Sequence, residues 1–166
     1  MYEGRFGQSL RLGTTSKSKS QYKNSWSTVG NEGDPITILR NGQPLKSSDK
    51  GWVPIVEDIN KDLSSIYLTS YQKLKDFNAA SRELYNSYKI KPTPPSQYSN
   101  PQIVLNSDRI VINAKSDHIL MSSQKSIGMS TVGSVNIDAK SHYISSNDIK
   151  SVSYTHLRAH ETVLDL

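Results

Sequence analysis

After Pro101 the apolar residues of this chain fall in pairs two positions apart, and the pairs recur along the chain. They are Ile103/Leu105, Ile110/Ile112, Ile119/Met121, Ile127/Met129 and Val135/Ile137, with a weaker echo at Tyr143, and successive starts are 7, 9, 8, 8 and 8 residues apart. Polar turns such as Asn106-Ser107-Asp108, Ser122-Ser123-Gln124-Lys125-Ser126 and Asp138-Ala139-Lys140-Ser141 separate them. Side chains at i and i+2 share one face of a strand. One short strand cannot bury that face, whereas stacked copies can. An octad is too short for one coil of a single-chain β-helix, which takes roughly twenty residues. Two arrangements remain. One is an antiparallel meander of regular hairpins. The other is a prism in which three chains share one axis and each supplies one side. Asn-Gly and Asp-Gly pairs are absent after residue 101, and this lack of hairpin chemistry favours the prism. The ten paired residues are then the core of a trimeric stalk over 102–150.

Upstream the pattern changes. Phe6, Leu10 and Leu12 fall on one face of an extended run bounded by glycines, residues 4–13. The stretch from Thr14 to Trp26 reads as a Ser/Lys/Thr loop. Asn31-Glu32-Gly33-Asp34-Pro35 is turn chemistry, and Ile36 to Arg40 reads as a strand closed by the tight-turn pair Asn41-Gly42. Trp52 to Val56 is a further extended run, with Pro54 suggesting a sheet edge, and Ser65 to Ser70 is a fourth strand. Short strands at this spacing predict a small barrel over 1–70. Residues 71–91 are ambiguous: Leu74, Phe77, Leu84 and Tyr88 could form a helical stripe, but an extended linker is slightly favoured. The run Lys91-Pro92-Thr93-Pro94-Pro95-Ser96, with Pro101 beyond it, stops a helix and makes a stiff connector. The expected organisation is a domain at 1–70, a linker at 71–101 and a stalk at 102–150, all-β throughout.

Only 34% of the 166 residues are apolar and mean hydropathy is −0.58, which is low for a chain that buries its core alone. This too points to an elongated or oligomeric protein. The absence of cysteine excludes disulfides and Cys-based zinc sites. No apolar run approaches the ~20 residues that span a bilayer, and with strand-like alternation directly after Met1 no signal peptide is expected. A formal charge of +5 permits polyanion binding. The lysines, however, are scattered through Ser/Thr-rich turns without an arginine cluster, so nucleic acid is not an expected partner.

Residues 152–166 have a separate origin. The string Val152-Ser153-Tyr154-Thr155-His156-Leu157-Arg158-Ala159-His160-Glu161-Thr162 is similar to the conceptual translation of a transposase-based sequencing adapter, and Asp165-Leu166 fits its continuation. The natural sequence is therefore expected to run only to about Ser151, as a fragment from read assembly, and His156, His160 and Glu161 carry no functional meaning. Without Arg158, Glu161 and Asp165 the count is 19 basic against 13 acidic residues, from 20 and 15, so the charge becomes +6 and the argument from charge is unchanged.

The repeat resembles the octad β-prism of central spike proteins in contractile-tailed phages and related secretion-system tips. The stretches Glu3 to Gly13, Gly33 to Gly42 and Glu57 to Ser70 look like baseplate hub or spike proteins of T4-like marine phages, and the similarity covers nearly all of residues 2–150. It implies an N-terminal barrel of the oligonucleotide/oligosaccharide-binding type followed by a trimeric β-stalk. The implied role is that of a virion structural protein, made in the host cytoplasm, whose partners are two further copies and other tail proteins. Some members also carry a lysozyme domain, in which a Glu is followed nine residues on by an Asp. Glu3, Glu32, Glu57 and Glu83 are followed at that distance by Leu12, Asn41, Ile66 and Pro92, so no enzyme is expected here. The His-x-His pattern of iron-binding spike tips is also missing.

Other candidates have plainer readings. Asp108, Asp117, Asp138 and Asp148 lie in turns without the dense Asp/Gly spacing of calcium-binding β-rolls, and side-chain-to-backbone bonds explain them better. His118 and His142 stand beside strand starts with no Ser/Asp constellation near them. Trp26, Trp52 and the tyrosines could form a glycan-binding surface or pack within the barrel, and packing is favoured. No cofactor or metal is expected.

Overall fold

The computed structural model describes residues 1–16, 26, 29–46, 49, 51, 55–80 and 85–149. The chain divides into two units, Met1–Val135 and Asn136–Leu166. The first holds all the regular structure among the described residues: five strands and a single 3₁₀ turn at Tyr85–Ser87. The strands are β1 (Tyr2–Glu3), β2 (Ser9–Thr14), β3 (Pro35–Asn41), β4 (Ser64–Thr69) and β5 (Gln102–Ser107). Of the second unit, residues 136–149 are exposed and form no strand. The adapter-like tail lies outside the described residues.

The protein is all-β. Its strands form one antiparallel sheet in the order β1-β2-β3-β4-β5, open at both edges. The 3₁₀ turn is the only helical element described between residues 71 and 91, while Leu84, part of the candidate helical stripe, lies outside the described residues. The stretch 102–107, which the periodicity places at the head of the stalk, is the fifth strand of this sheet. β5 reaches β4 across a 32-residue connection (70–101), in which Gln97 and Tyr98 N–H both donate to Pro94 O in a turn.

One face of the sheet carries the core. Ile36 and Ile38 on β3, Tyr67 on β4 and Val104 on β5 are buried there. In register, Arg11, Ile38, Tyr67 and Val104 form one cross-strand row. The second layer consists of connections. Trp26 comes from the β2–β3 loop, Ile59 from the β3–β4 loop and Leu74 from the segment after β4, with Phe77 packed against them. Among the described residues no further helix or sheet covers this face, and single large side chains from loops do so.

Polar side chains hold those loops down. Gln72, fully buried, accepts from Ser70 N–H at 2.8 Å and donates from Nε2 to Thr15 Oγ1 (2.9 Å) and Asp34 O (2.8 Å). Asn106 on β5 donates to Ile59 O. The Asn31–Asp34 turn forms as its residues suggest: Asp34 N–H donates to Asn31 O (3.2 Å), the Asp34 carboxylate accepts from Asn31 N–H (2.6 Å), and Gly33 takes a positive φ of 88°.

Three local expectations change. Phe6 lies in the turn before β2, outside the strand. Asn41-Gly42 closes no hairpin, because a long excursion to Leu63 separates β3 from β4. Gly42 is instead a close-approach residue, where a Cβ would press into the Phe6 carbonyl and the Gly7 backbone. The extended run at 52–56 falls largely outside the described residues, and its described end, Ile55 and Val56, is in no strand.

Candidate interaction surface

Residue alternation gives each strand two sides. The side opposite the core carries Leu10, Leu39, Ile66 and Leu105 in one cross-strand row, extended by Tyr2, and Leu12, Thr37, Leu68 and Ile103 in the next. Nothing in the described chain covers it. Tyr2 is 75% exposed, Leu12 65%, Leu39 50%, Leu68 42%, Ile103 70% and Leu105 46%. At its end, a groove between β3, β4 and the chain leaving β5 is lined by Leu39, Ile66, Leu105, Arg109 and Ile110. Scattered apolar residues on a surface are ordinary, but a contiguous apolar patch of this extent marks an interaction site.

The stalk residues fall in two groups. Ile103 and Leu105 sit on β5 and point to this open face. Ile110, Ile112, Ile119, Met121, Ile127, Met129, Val135 and Ile137 lie in chain without strand structure, between 49% and 69% exposed. None of the ten belongs to the buried core; β5 contributes Val104 instead. Gly128, between Ile127 and Met129, has the Tyr88 ring where a Cβ would stand.

Sequence reasoning placed Leu10 and Leu12 on one face but did not identify that face as the uncovered one, and it missed Leu39, Ile66 and Leu68. A signal was available. Ile36-Thr37-Ile38-Leu39 and Ile66-Tyr67-Leu68 are apolar on both sides of the strand, the mark of a sheet covered on both faces.

The most polar buried cluster is structural in character. The Arg40 and Asp62 side chains are wholly inaccessible and meet at 3.0 Å. Arg40 also donates to Ser9 Oγ (2.9 Å) and to Ile55 O. Asp62 accepts from Gln43 Nε2 at 3.1 Å and, more weakly, from the Tyr67 hydroxyl at 3.5 Å. Burial pushes the Asp62 carboxyl above its usual range, with Gln43 and Arg40 opposing. Burial, together with the nearby Asp62 and Glu57 carboxylates, pushes the Tyr67 hydroxyl up as well. A second pair, Arg11 with Glu57, lies at the β2 end of the core, with the Arg11 guanidinium 5.6 Å from the Trp26 ring centroid. These charges pair with one another. Near Asp58, partial burial is outweighed by the Lys61 ammonium and the Asn60 N–H, which hold its carboxyl below the usual value.

The remaining candidates are dispersed. Trp26 is buried under Arg11, and Trp52 lies outside the described residues. Asp117 accepts from His118 N–H at 2.8 Å, a local turn bond. His142, Asp108, Asp138 and Asp148 are exposed. Among the described residues no three His, Cys, Asp or Glu side chains converge as metal ligands, and no helix is long and apolar enough to cross a membrane. Set beside known protein families, curated proteins and solved structures, the chain matches none of them.

Proposed function

We propose that this chain is a non-catalytic structural protein of a contractile phage tail, a hub or spike component of the baseplate whose stalk is a homotrimeric β-prism. The observation that carries the reading is the octad repeat. Its apolar pairs are evenly spaced, yet along 108–149 they are exposed and form no strand. Apolar rows at strand spacing that none of the described residues cover call for other chains. Three copies about one axis would bury every pair and satisfy the backbone between chains. The open sheet at the N-terminal end serves as the head of this stalk, at the position where the resemblance implies a barrel. The role is mechanical: a prism held by a continuous apolar interior resists bending and transmits force along its axis.

The mass of the full chain in solution tests the reading. Light scattering is expected to give three times the 18.5 kDa of one chain, and a monomer across the accessible concentration range would refute it. The paired change Ile119→Asp with Ile127→Asp is expected to abolish the trimer while leaving the β-sheet circular dichroism of the head. The virion setting has its own test: the DNA flanking the coding region should encode further tail proteins, and flanking genes of unrelated metabolism count against it.

A further inference from the structure

The open face of the sheet and the repeat meet on one strand. Ile103 and Leu105 are the first apolar pair of the octad series and also the β5 members of the two exposed rows. A strand has only two sides, and the other side of β5 is committed to the core through Val104. If the first pair turns toward a molecular axis, the whole face built from β1 to β5 turns with it. The chain then continues along the end of this face, where Ile110 joins Leu39, Ile66 and Leu105 in lining one groove.

We infer that this face is an interface between copies of the same chain, at which the heads of the trimer pack on one another as an extension of the stalk. The inference rests on the trimeric reading above and adds to it a specific surface. Two observations select a second copy as the occupant. First, the cross-strand rows of the face hold no charged residue, with Arg109 only in the groove at their end, so copies of a chain with a net charge of +5 can meet along the rows without like-charge contact. A polyanionic or acidic partner would find no cation within those rows. Second, the area suffices. Six large side chains on the face are between 42% and 75% exposed. Together they present an apolar patch on the order of several hundred Å², a substantial share of the ~800 Å² per partner of a standard interface before any stalk contact is added.

The chain has no cysteine, so an introduced thiol reports on its own position alone. Leu39→Cys and Leu68→Cys place one on each row of the face. Lys75→Cys places one on the exposed part of the segment whose Leu74 packs on the opposite face. Each full-length variant is reacted with a maleimide at protein concentrations below and above assembly, with light scattering run in parallel. The expected result is labelling at least about tenfold slower in the assembled form at positions 39 and 68, with no change at 75. A trimer in which positions 39 and 68 label as fast as in the monomer overturns this inference and leaves the trimeric stalk standing. Slow labelling of positions 39 and 68 in the monomer also overturns it, because the face is then covered by its own chain. Failure of the unsubstituted chain to assemble is a different result, and it removes the trimeric reading itself.

Discussion

Replacing Arg40 by methionine should be among the most damaging single changes in the sheet. The guanidinium is fully buried and makes the 3.0 Å pair with Asp62, a bond to Ser9 Oγ and a bond to Ile55 O. Methionine keeps much of the volume but leaves a buried carboxylate with Gln43, a backbone bond from Asp58 and a long contact to Tyr67 in place of its countercharge. Removing one partner of a buried pair costs about 3–5 kcal/mol, because the other charge stays desolvated. Urea unfolding followed by tryptophan fluorescence suits the question, since Trp26 is in the core. With a slope of ~1.5 kcal/mol per molar, the midpoint should fall by about 2 M or more. The loss should shrink on acidification: without Arg40 the Asp62 carboxyl moves further up, and once protonated it is no longer a buried charge. The double change Arg40→Met with Asp62→Leu should recover most of the loss, since an apolar replacement of the whole pair is close to neutral. A single-variant loss below about 1 kcal/mol, the worth of an exposed pair, would refute this account. So would a double variant no more stable than the single one.

Neighbours on β3 should behave oppositely when truncated. Ile38→Ala, at a fully buried site, is expected to cost about 2–5 kcal/mol in urea unfolding, while Leu39→Ala, on the open face, should leave the dissociated chain within about 1 kcal/mol of the original. Gly42→Ala should destabilise by about 1–3 kcal/mol, because the methyl meets the backbone of Phe6 and Gly7. Gly33→Ala meets no atom and should cost only about 1 kcal/mol for its positive φ, a difference visible in paired thermal melts. The Asp62 carboxyl has its own signature in pH. Its folded value is raised above 3.8, so the folded state holds the proton more tightly. Its contribution to stability is then full below 3.8 and declines as pH rises through the raised value. Asp62→Asn should remove that slope from a series of unfolding curves, and an unchanged slope would assign it to another group.

The sheet was partly legible because strand signals are local. Ile36 to Arg40 and Ser65 to Ser70 are short β-rich runs bounded by turn residues, and both form strands within one residue of those limits. Asn31 to Asp34 carries its turn in its own side chains. The periodic pairs after Pro101 are likewise written in the chain, since a spacing needs no tertiary information. Local chemistry could not show which side of each strand is covered. Leu10 and Leu12 look like core residues by pattern, yet their two rows lie open, while the row with Arg11, Ile38 and Tyr67 is packed on the core. That choice depends on where Trp26, Ile59 and Leu74 come to rest, and those residues reach the sheet through long loops whose paths no short-range rule dictates. The same holds for β5. By sequence it opens the repeat, and only hydrogen bonding to β4, across 32 intervening residues, makes it the edge of the sheet. The repeat itself was readable from periodicity. Its junction with an apolar sheet face was decided by tertiary structure, because a strand's two sides acquire different meanings only when one of them is packed.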